Sequence, residues 1–191
     1  MLSDTKLSET PQWVALYTKP RAEKKVVETL SSHDYECYLP LRKELHDWSD
    51  RKKWIEVPLI KSYVFVKICK GESSKVLTFD NVVAMIAFNG VIAVIPDAEI
   101  QMMKDFIASE FQVQVEAMDK LRRGVKVRIN SGGLEGREGM LVSDCVDGNF
   151  AVEITGISMA MIINVDRELL DVVSDEEQPK PVRKKKKYNL R

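Results

Sequence analysis

The sequence predicts an α+β chain in two parts, a helix-covered sheet followed by a small, strongly bent β-barrel. Two observations carry this. Up to Glu110, strand and helix periodicities alternate around one apolar run, Tyr63-Val-Phe-Val66. After it, glycine becomes frequent, helical spacing vanishes, and four short strands are separated by turn signals over about 50 residues.

Residues 1–11 are polar and read as a flexible arm. Trp13–Tyr17 is a first strand, punctuated by Thr18 and Pro20. Ala22, Val26, Thr29 and Leu30 then recur at helical spacing through Arg21–Ser32, which leaves Lys24, Lys25 and Glu28 outward. Tyr35–Leu39 is a second strand closed by Pro40. Residues 41–57 read as a charged hairpin around Ser49-Asp50-Arg51, with Trp48 and Trp54 expected to pack across its arms.

In the strand 62–68 that follows, Tyr63, Phe65 and Lys67 point one way and Ser62, Val64, Val66 and Ile68 the other. Both faces therefore need cover. Glu72–Asp80 is a short helix with Ser73 or Ser74 as its cap. Val82–Phe88 and Val91–Ile95 flank Asn89-Gly90, the strongest hairpin signal in the chain. A helix over Asp97–Ser109, with Ile100, Met103, Phe106 and Ile107 on one face, completes a sandwich expected to have one helical layer.

This sets residues 12–110 as the first domain and 111–120 as a linker, although Phe111, Val113 and Val115 alternate like a strand. Residues 121–173 are the barrel, with strands at Val125–Ile129, Gly139–Asp144, Phe150–Thr155 and Ala160–Asn164. Residues 174–191 are a disordered basic tail.

The formal net charge of zero hides an uneven distribution. Residues 1–70 hold 13 Lys/Arg against 10 Asp/Glu, whereas 71–117 hold 2 against 7 and 118–179 hold 7 against 12. Residues 180–191 carry 7 cations and no acid. A polyanion would meet the N-terminal part or the tail. No apolar run reaches bilayer length and no signal segment is visible, so a soluble, cytoplasmic protein without membrane contact is expected. Three cysteines without a CxxC pair, and only two histidines, suggest neither a disulfide framework nor a metal site. No nucleophile–base pairing or phosphate loop is visible either, and "GGLEGREG" lacks the lysine and following helix of one, so no enzyme and no cofactor are expected.

Trp13-Val-Ala-Leu-Tyr17 with Lys19 and a helix, then Pro58-Leu-Ile-Lys-Ser-Tyr-Val-Phe-Val66, resemble the N-terminal (NGN) domain of NusG-type transcription elongation factors. Gly124–Gly139 resembles the KOW motif of their SH3-like C-terminal barrel. The resemblance covers roughly residues 12–173. Within the family, "KPRAEKK", "ECYLPL" and "SYVFV" look more like the specialised paralogues, RfaH and the UpxY antiterminators of capsular-polysaccharide operons.

The resemblance implies an NGN-like α/β sandwich, an antiparallel sheet with helices, that docks on the β′ clamp helices of RNA polymerase and suppresses pausing and termination in specific operons. Two alternatives are a general elongation factor and a KOW-type RNA-binding component of translation. Tyr63 and Phe65 match the family's pocket aromatics, with Trp13 and Tyr17 supporting them and Lys61 placing a cation beside them. Each aromatic also has a plain reading as core. Lys19, Arg21, Lys24 and Lys25 fall where specialised paralogues read the non-template DNA strand; a solvated helix face is the plain alternative.

Asp80-Asn81 departs from the RfaH-like pattern, which has a base-contacting cation there. So does Lys61-Ser62, where the family has Pro-Gly or Pro-Asn. Ser73 and Ser74 fall where RfaH touches the polymerase β-subunit gate loop, though a helix cap is the simpler account. Gly124, Gly133, Gly136 and Gly139 match the KOW glycines, whose role is structural. The barrel is expected to stay a barrel and to recruit termination factor Rho or a ribosomal protein on a face including Ile129, Phe150 and Ile157. The lysine run 184–187 would add non-specific affinity for nucleic acid. A monomer is expected.

Overall fold

The structure is a computed structural model that describes residues 2–3, 7–48, 51–109, 111–121, 124–142 and 149–173. The basic tail, the Asp144 strand end and the hairpin tip lie outside the described residues.

Strand β1 (Gln12–Thr18) runs at the centre of the first sheet, and helix α1 (Glu23–Ser31) follows it. The helix starts two residues later than its periodicity suggests, because Arg21 takes a left-handed φ of 64° and interrupts the helical path. Strand β2 (Cys37–Tyr38) leads into a two-stranded ribbon of β3 (Leu41–Trp48) and β4 (Arg51–Pro58). Its register sets Trp54 opposite Leu45 and position 48 opposite Arg51, so the two tryptophan positions do not pair as expected.

Strand β5 (Tyr63–Ile68) lies between β2 and β1, antiparallel to both. Helix α2 (Ser73–Val76) has no side-chain cap; Glu72 organises the turn before it instead, its carboxylate accepting from the Cys69 N–H at 2.6 Å. Strands β6 (Val82–Met85), β7 (Ala87–Phe88), β8 (Val91–Ile92) and β9 (Val94–Ile95) fold around Asn89-Gly90. Those two residues have φ 51° and 80°, the positive pair a type I′ turn requires. β6 and β9 both pair with β1, and helix α3 (Asp97–Ala108) follows.

Strand parity decides the core. Val14, Leu16, Val64, Val66 and Ile68 pack with Val26 and Leu30 of α1 and Val76 of α2. Trp13, Ala15 and Phe65 share a cluster with Ile100, Met103 and Phe106 of α3. Helices thus cover both faces, against the single layer expected, because both faces of β5 carry apolar groups that water would otherwise meet. Nor are all of the first eleven residues loose. Leu7 is buried in the α1-side core, and Ser3 exchanges two backbone hydrogen bonds with the 90–92 segment at 2.7 and 2.9 Å.

The second unit is a six-stranded antiparallel sheet of the KOW, SH3-like type. Its strands are β10 (Gln114–Ala117), β11 (Lys126–Ile129), β12 (Glu138–Val142), β13 (Asn149–Ile154), β14 (Met159–Asn164) and β15 (Leu170–Val172). In space they run β10-β14-β13-β12-β11-β15. β10 comes from the expected linker and covers the outer edge of β14, which satisfies main-chain groups that a free edge would leave open.

Glu138 bridges Lys126 at 3.0 Å and also pairs with Arg128, and the Arg128 hydrogen bond is the main cause that holds its carboxyl below the usual range. A depressed carboxylate favours folding above its unfolded value and loses that contribution as pH falls through the folded value. Glu138→Gln should therefore flatten the acid limb of barrel unfolding below about pH 4, followed by circular dichroism.

The two units meet. Phe106 of α3 lies against Phe150 of β13 with ring centroids 6.2 Å apart, and Asp105 pairs with Arg137. At the turn Thr155–Ile157, Gly156 lies against the Ile95 side chain so closely that a Cβ there would overlap it. Phe150, Ile129 and Ile157, expected on a partner-binding face, are instead buried in the cluster shared with α3.

Candidate polymerase and nucleic-acid interface

β5 and β1 place Tyr63 directly opposite Tyr17 and Phe65 opposite Ala15. The two tyrosines pack edge to face with centroids 5.7 Å apart, and Tyr17 is 39% exposed. Burial raises the Tyr63 hydroxyl above its ordinary pKa, with a smaller contribution from Tyr17. Phe65 behaves differently. It is fully buried and stacked 6.2 Å from Tyr38, whose hydroxyl burial and Asp105 push up to about 12.

Trp13 is also core, donating from Nε1 to Asp97 at 3.0 Å. Lys67 ties the same corner together, with Glu36 at 3.2 Å, Asp97 at 3.3 Å and its ammonium 5.1 Å from the Trp13 ring. Of the expected docking aromatics, then, Tyr17 and Tyr63 reach the surface, and Phe65 and Trp13 form the wall behind them. Tyr38 and Asp97 belong to this corner and escaped sequence reasoning; Tyr38 left a signal, since it lies two residues from Glu36 in a strand pattern.

Lys61 is exposed beside the pair, but the conformational work falls to Ser62. Ser62 is buried at φ 63°, donates its N–H to the Glu23 carboxylate at 2.7 Å and accepts from the Thr18 N–H at 2.8 Å. An L-residue in this region costs about 1–2 kcal/mol, a cost that glycine does not meet. Ser62→Gly keeps both backbone bonds and removes that cost, less what glycine adds to unfolded-chain entropy. A gain of about 0.5–1 kcal/mol is expected in urea unfolding.

The basic residues gather at the same end of the sheet. Lys19, Arg21, Lys24 and Lys25 are all exposed, and the Lys19 N–H donates to the Asn81 carbonyl at 2.9 Å. Asn81 has φ 67°, so this residue serves a turn that asparagine tolerates better than a long cation would. Lys24 Nζ donates to the Glu56 carbonyl at 2.8 Å, which ties α1 to the base of the ribbon. A groove of about 730 Å³ lies beside that base, floored by Leu59, Ile107 and Phe111; none of the expected docking residues lines it.

In the barrel, Gly124 and Gly139 are needed for close approach. A Cβ on the first would overlap the Leu141 carbonyl, and on the second would fall 2.6 Å from the Phe150 ring. Gly136 has φ 79°, whereas Gly133 has neither a positive φ nor a neighbour, and Gly132 takes the left-handed position with φ 86°.

Residues 11–104 match the family model described as "NusG: Transcription termination factor nusG". The N-terminal region is NusG-like. A solved structure described as "Domain interaction in Thermotoga maritima NusG" is 18% identical with TM-score 0.51, covering 86% of this chain and 98% of that one, and it supports the fold. The MjSpt4:Spt5 complex in conformation A is 15% identical over 85% of this chain and 98% of that one, with TM-score 0.27. No curated protein matches the sequence significantly.

Among the described residues no His/Cys/Asp/Glu group could hold a metal, and burial pushes the Cys37 thiol up to about 11, far from a nucleophile's range. Among the described residues no helix is long and apolar enough to cross a membrane.

Proposed function

We propose that this protein is a transcription elongation factor that binds RNA polymerase through the Tyr17–Tyr63 end of its first sheet. The observation that carries the reading is the Tyr17–Tyr63 pair, with Tyr17 exposed and Tyr63 partly so, backed by buried Phe65, inside the segment that matches the NusG family. Each ring offers about 1.5–3 kcal/mol on full burial, the scale of an interface hot spot. The action is mechanical: a factor that binds one polymerase conformation better than another shifts their populations. The β′ clamp helices are the proposed contact, with Lys61 beside it and Lys19, Arg21, Lys24 and Lys25 toward non-template DNA.

In this conformation the barrel occupies the α3 side of the same face, through Phe106–Phe150 and Gly156–Ile95. Release of the barrel would uncover Phe106 and Ile95, which widens the apolar surface next to the tyrosine pair. A freed barrel would expose Phe150 and Ile157 to a second partner, Rho or a ribosomal protein.

A pull-down of core polymerase tests the docking claim. Tyr17→Ala with Tyr63→Ala should reduce capture roughly a hundredfold while melting stays close to wild type. Undiminished capture would sink it. Gly156→Leu, which forces the turn off Ile95, should raise capture.

The narrower reading, action at surface-polysaccharide operons, rests on the likeness of "KPRAEKK", "ECYLPL" and "SYVFV" to specialised paralogues. Genome-wide occupancy decides it: binding across most transcription units would make this a general factor.

A further inference from the structure

We infer that Glu23 is a positioning residue for the docking pair: from the first turn of α1, its carboxylate fixes the backbone that aims Tyr63 at Tyr17. This rests on the proposed docking of those tyrosines and names what holds them in place. The Glu23 side chain is only 4% exposed. A carboxylate is seldom buried without a partner, because leaving water is costly. Two contacts offset that cost here. Glu23 is the first residue of α1, where the helix end favours negative charge, and it accepts the Ser62 N–H at 2.7 Å. An apolar side chain would fill the same space without the cost. What the carboxylate adds is the bond to Ser62.

The ladder shows why that bond matters. Tyr17 with Tyr63 is the last pair in the β1–β5 register, followed by the hydrogen bond from the Thr18 N–H to the Ser62 carbonyl at 2.8 Å. A ladder end frays unless the chain beyond it is held. Beyond this end lies Ser62, whose φ of 63° is a conformation that an L-residue leaves readily. Ser62 is also buried, so its N–H would be costly without an acceptor. Glu23 supplies the acceptor and through it holds the left-handed turn. On the other side of β1, the register with β6 shifts between Tyr17 and Thr18, and the Lys19 N–H bonds Asn81 at 2.9 Å. Such irregularities re-aim side chains. β1 is thus pinned from the β6 side and β5 from α1, and the two rings meet 5.7 Å apart between the pins. A pair ordered before docking loses less freedom on binding.

Reach and charge can be separated. Glu23→Gln keeps an oxygen at the same distance and loses the charge, whereas Glu23→Asp keeps the charge at the helix start and falls one methylene short. Capture of core polymerase by Glu23→Gln should stay within about twofold of wild type, and Glu23→Asp should lose roughly tenfold. A role in helix stability alone predicts the reverse order, since aspartate suits a helix N-terminus as well as glutamate does. Val26→Ala, which truncates the buried face of α1, should lower the melting temperature and leave capture unchanged. Assigned NMR spectra of the full chain read the hold without polymerase: the Tyr63 ring signals should move in Glu23→Asp and stay in place in Glu23→Gln. Equal capture by wild type and Glu23→Asp, or the reversed order, would overturn the proposal. So would unmoved Tyr63 ring signals in Glu23→Asp. Normal capture by Tyr17→Ala with Tyr63→Ala would sink the docking reading, and not the hold of Glu23 on Tyr63, which the ring signals report.

Discussion

Phe106→Ala is expected to lower stability by about 3–5 kcal/mol, one of the largest losses for a single truncation in this chain. The ring is fully buried and is shared by two packing layers, the sheet face with Phe65 and the barrel with Phe150. Truncation would leave a cavity whose walls are strands on both sides, and hydrogen-bonded strands collapse poorly into a void. Urea unfolding measures the loss. Ile107→Ala, one residue along but only partly buried, should cost about 1–2 kcal/mol, and a similar cost at both positions would show that Phe106 is not the joint between the layers. The same substitution should loosen the barrel, so Phe106→Ala that still folds should gain polymerase capture in parallel with Gly156→Leu.

Gly124→Ala is expected to cost about 3 kcal/mol or more, enough to melt the barrel while the first sheet survives. The added methyl overlaps the carbonyl of Leu141, which is main chain of β12 and cannot rotate away as a side chain would. The Leu141 N–H donates to the Val125 carbonyl at 2.9 Å, so moving β12 also strains the first rung of the barrel. Gly133→Ala is the matched control, since its Cβ would meet nothing within 4 Å, and a change within about 0.5 kcal/mol is expected. Thermal melts that separate the two units measure both. Similar melting of the two variants would contradict the close approach at Gly124.

Local physics was legible in the residues. Asn89-Gly90 announced its turn because few other pairs accept two positive φ values, and the face of α3 was visible in the spacing of Ile100, Met103 and Phe106. The start of α1 was less legible, because nothing in Pro20-Arg21 signals that Arg21 goes left-handed. Trp54 read as one half of a cross-strand pair with Trp48, since alternation does not fix register. The hydrogen-bonded ladder set Trp54 against Leu45 and left it in water.

The Tyr63–Val66 strand separates the two kinds of information most clearly. Its pleat, read from sequence alone, determined which residues share a face and that both faces need cover, because alternation is a property of the chain itself. What covers each face is not local. Tertiary packing put α1 and α2 on one side, α3 with the barrel on the other, and buried Phe65 while leaving Tyr17 and Tyr63 partly exposed. The reason is that burial depends on surfaces brought together from distant parts of the chain, such as Phe150 against Phe106, and no window around residue 65 contains them.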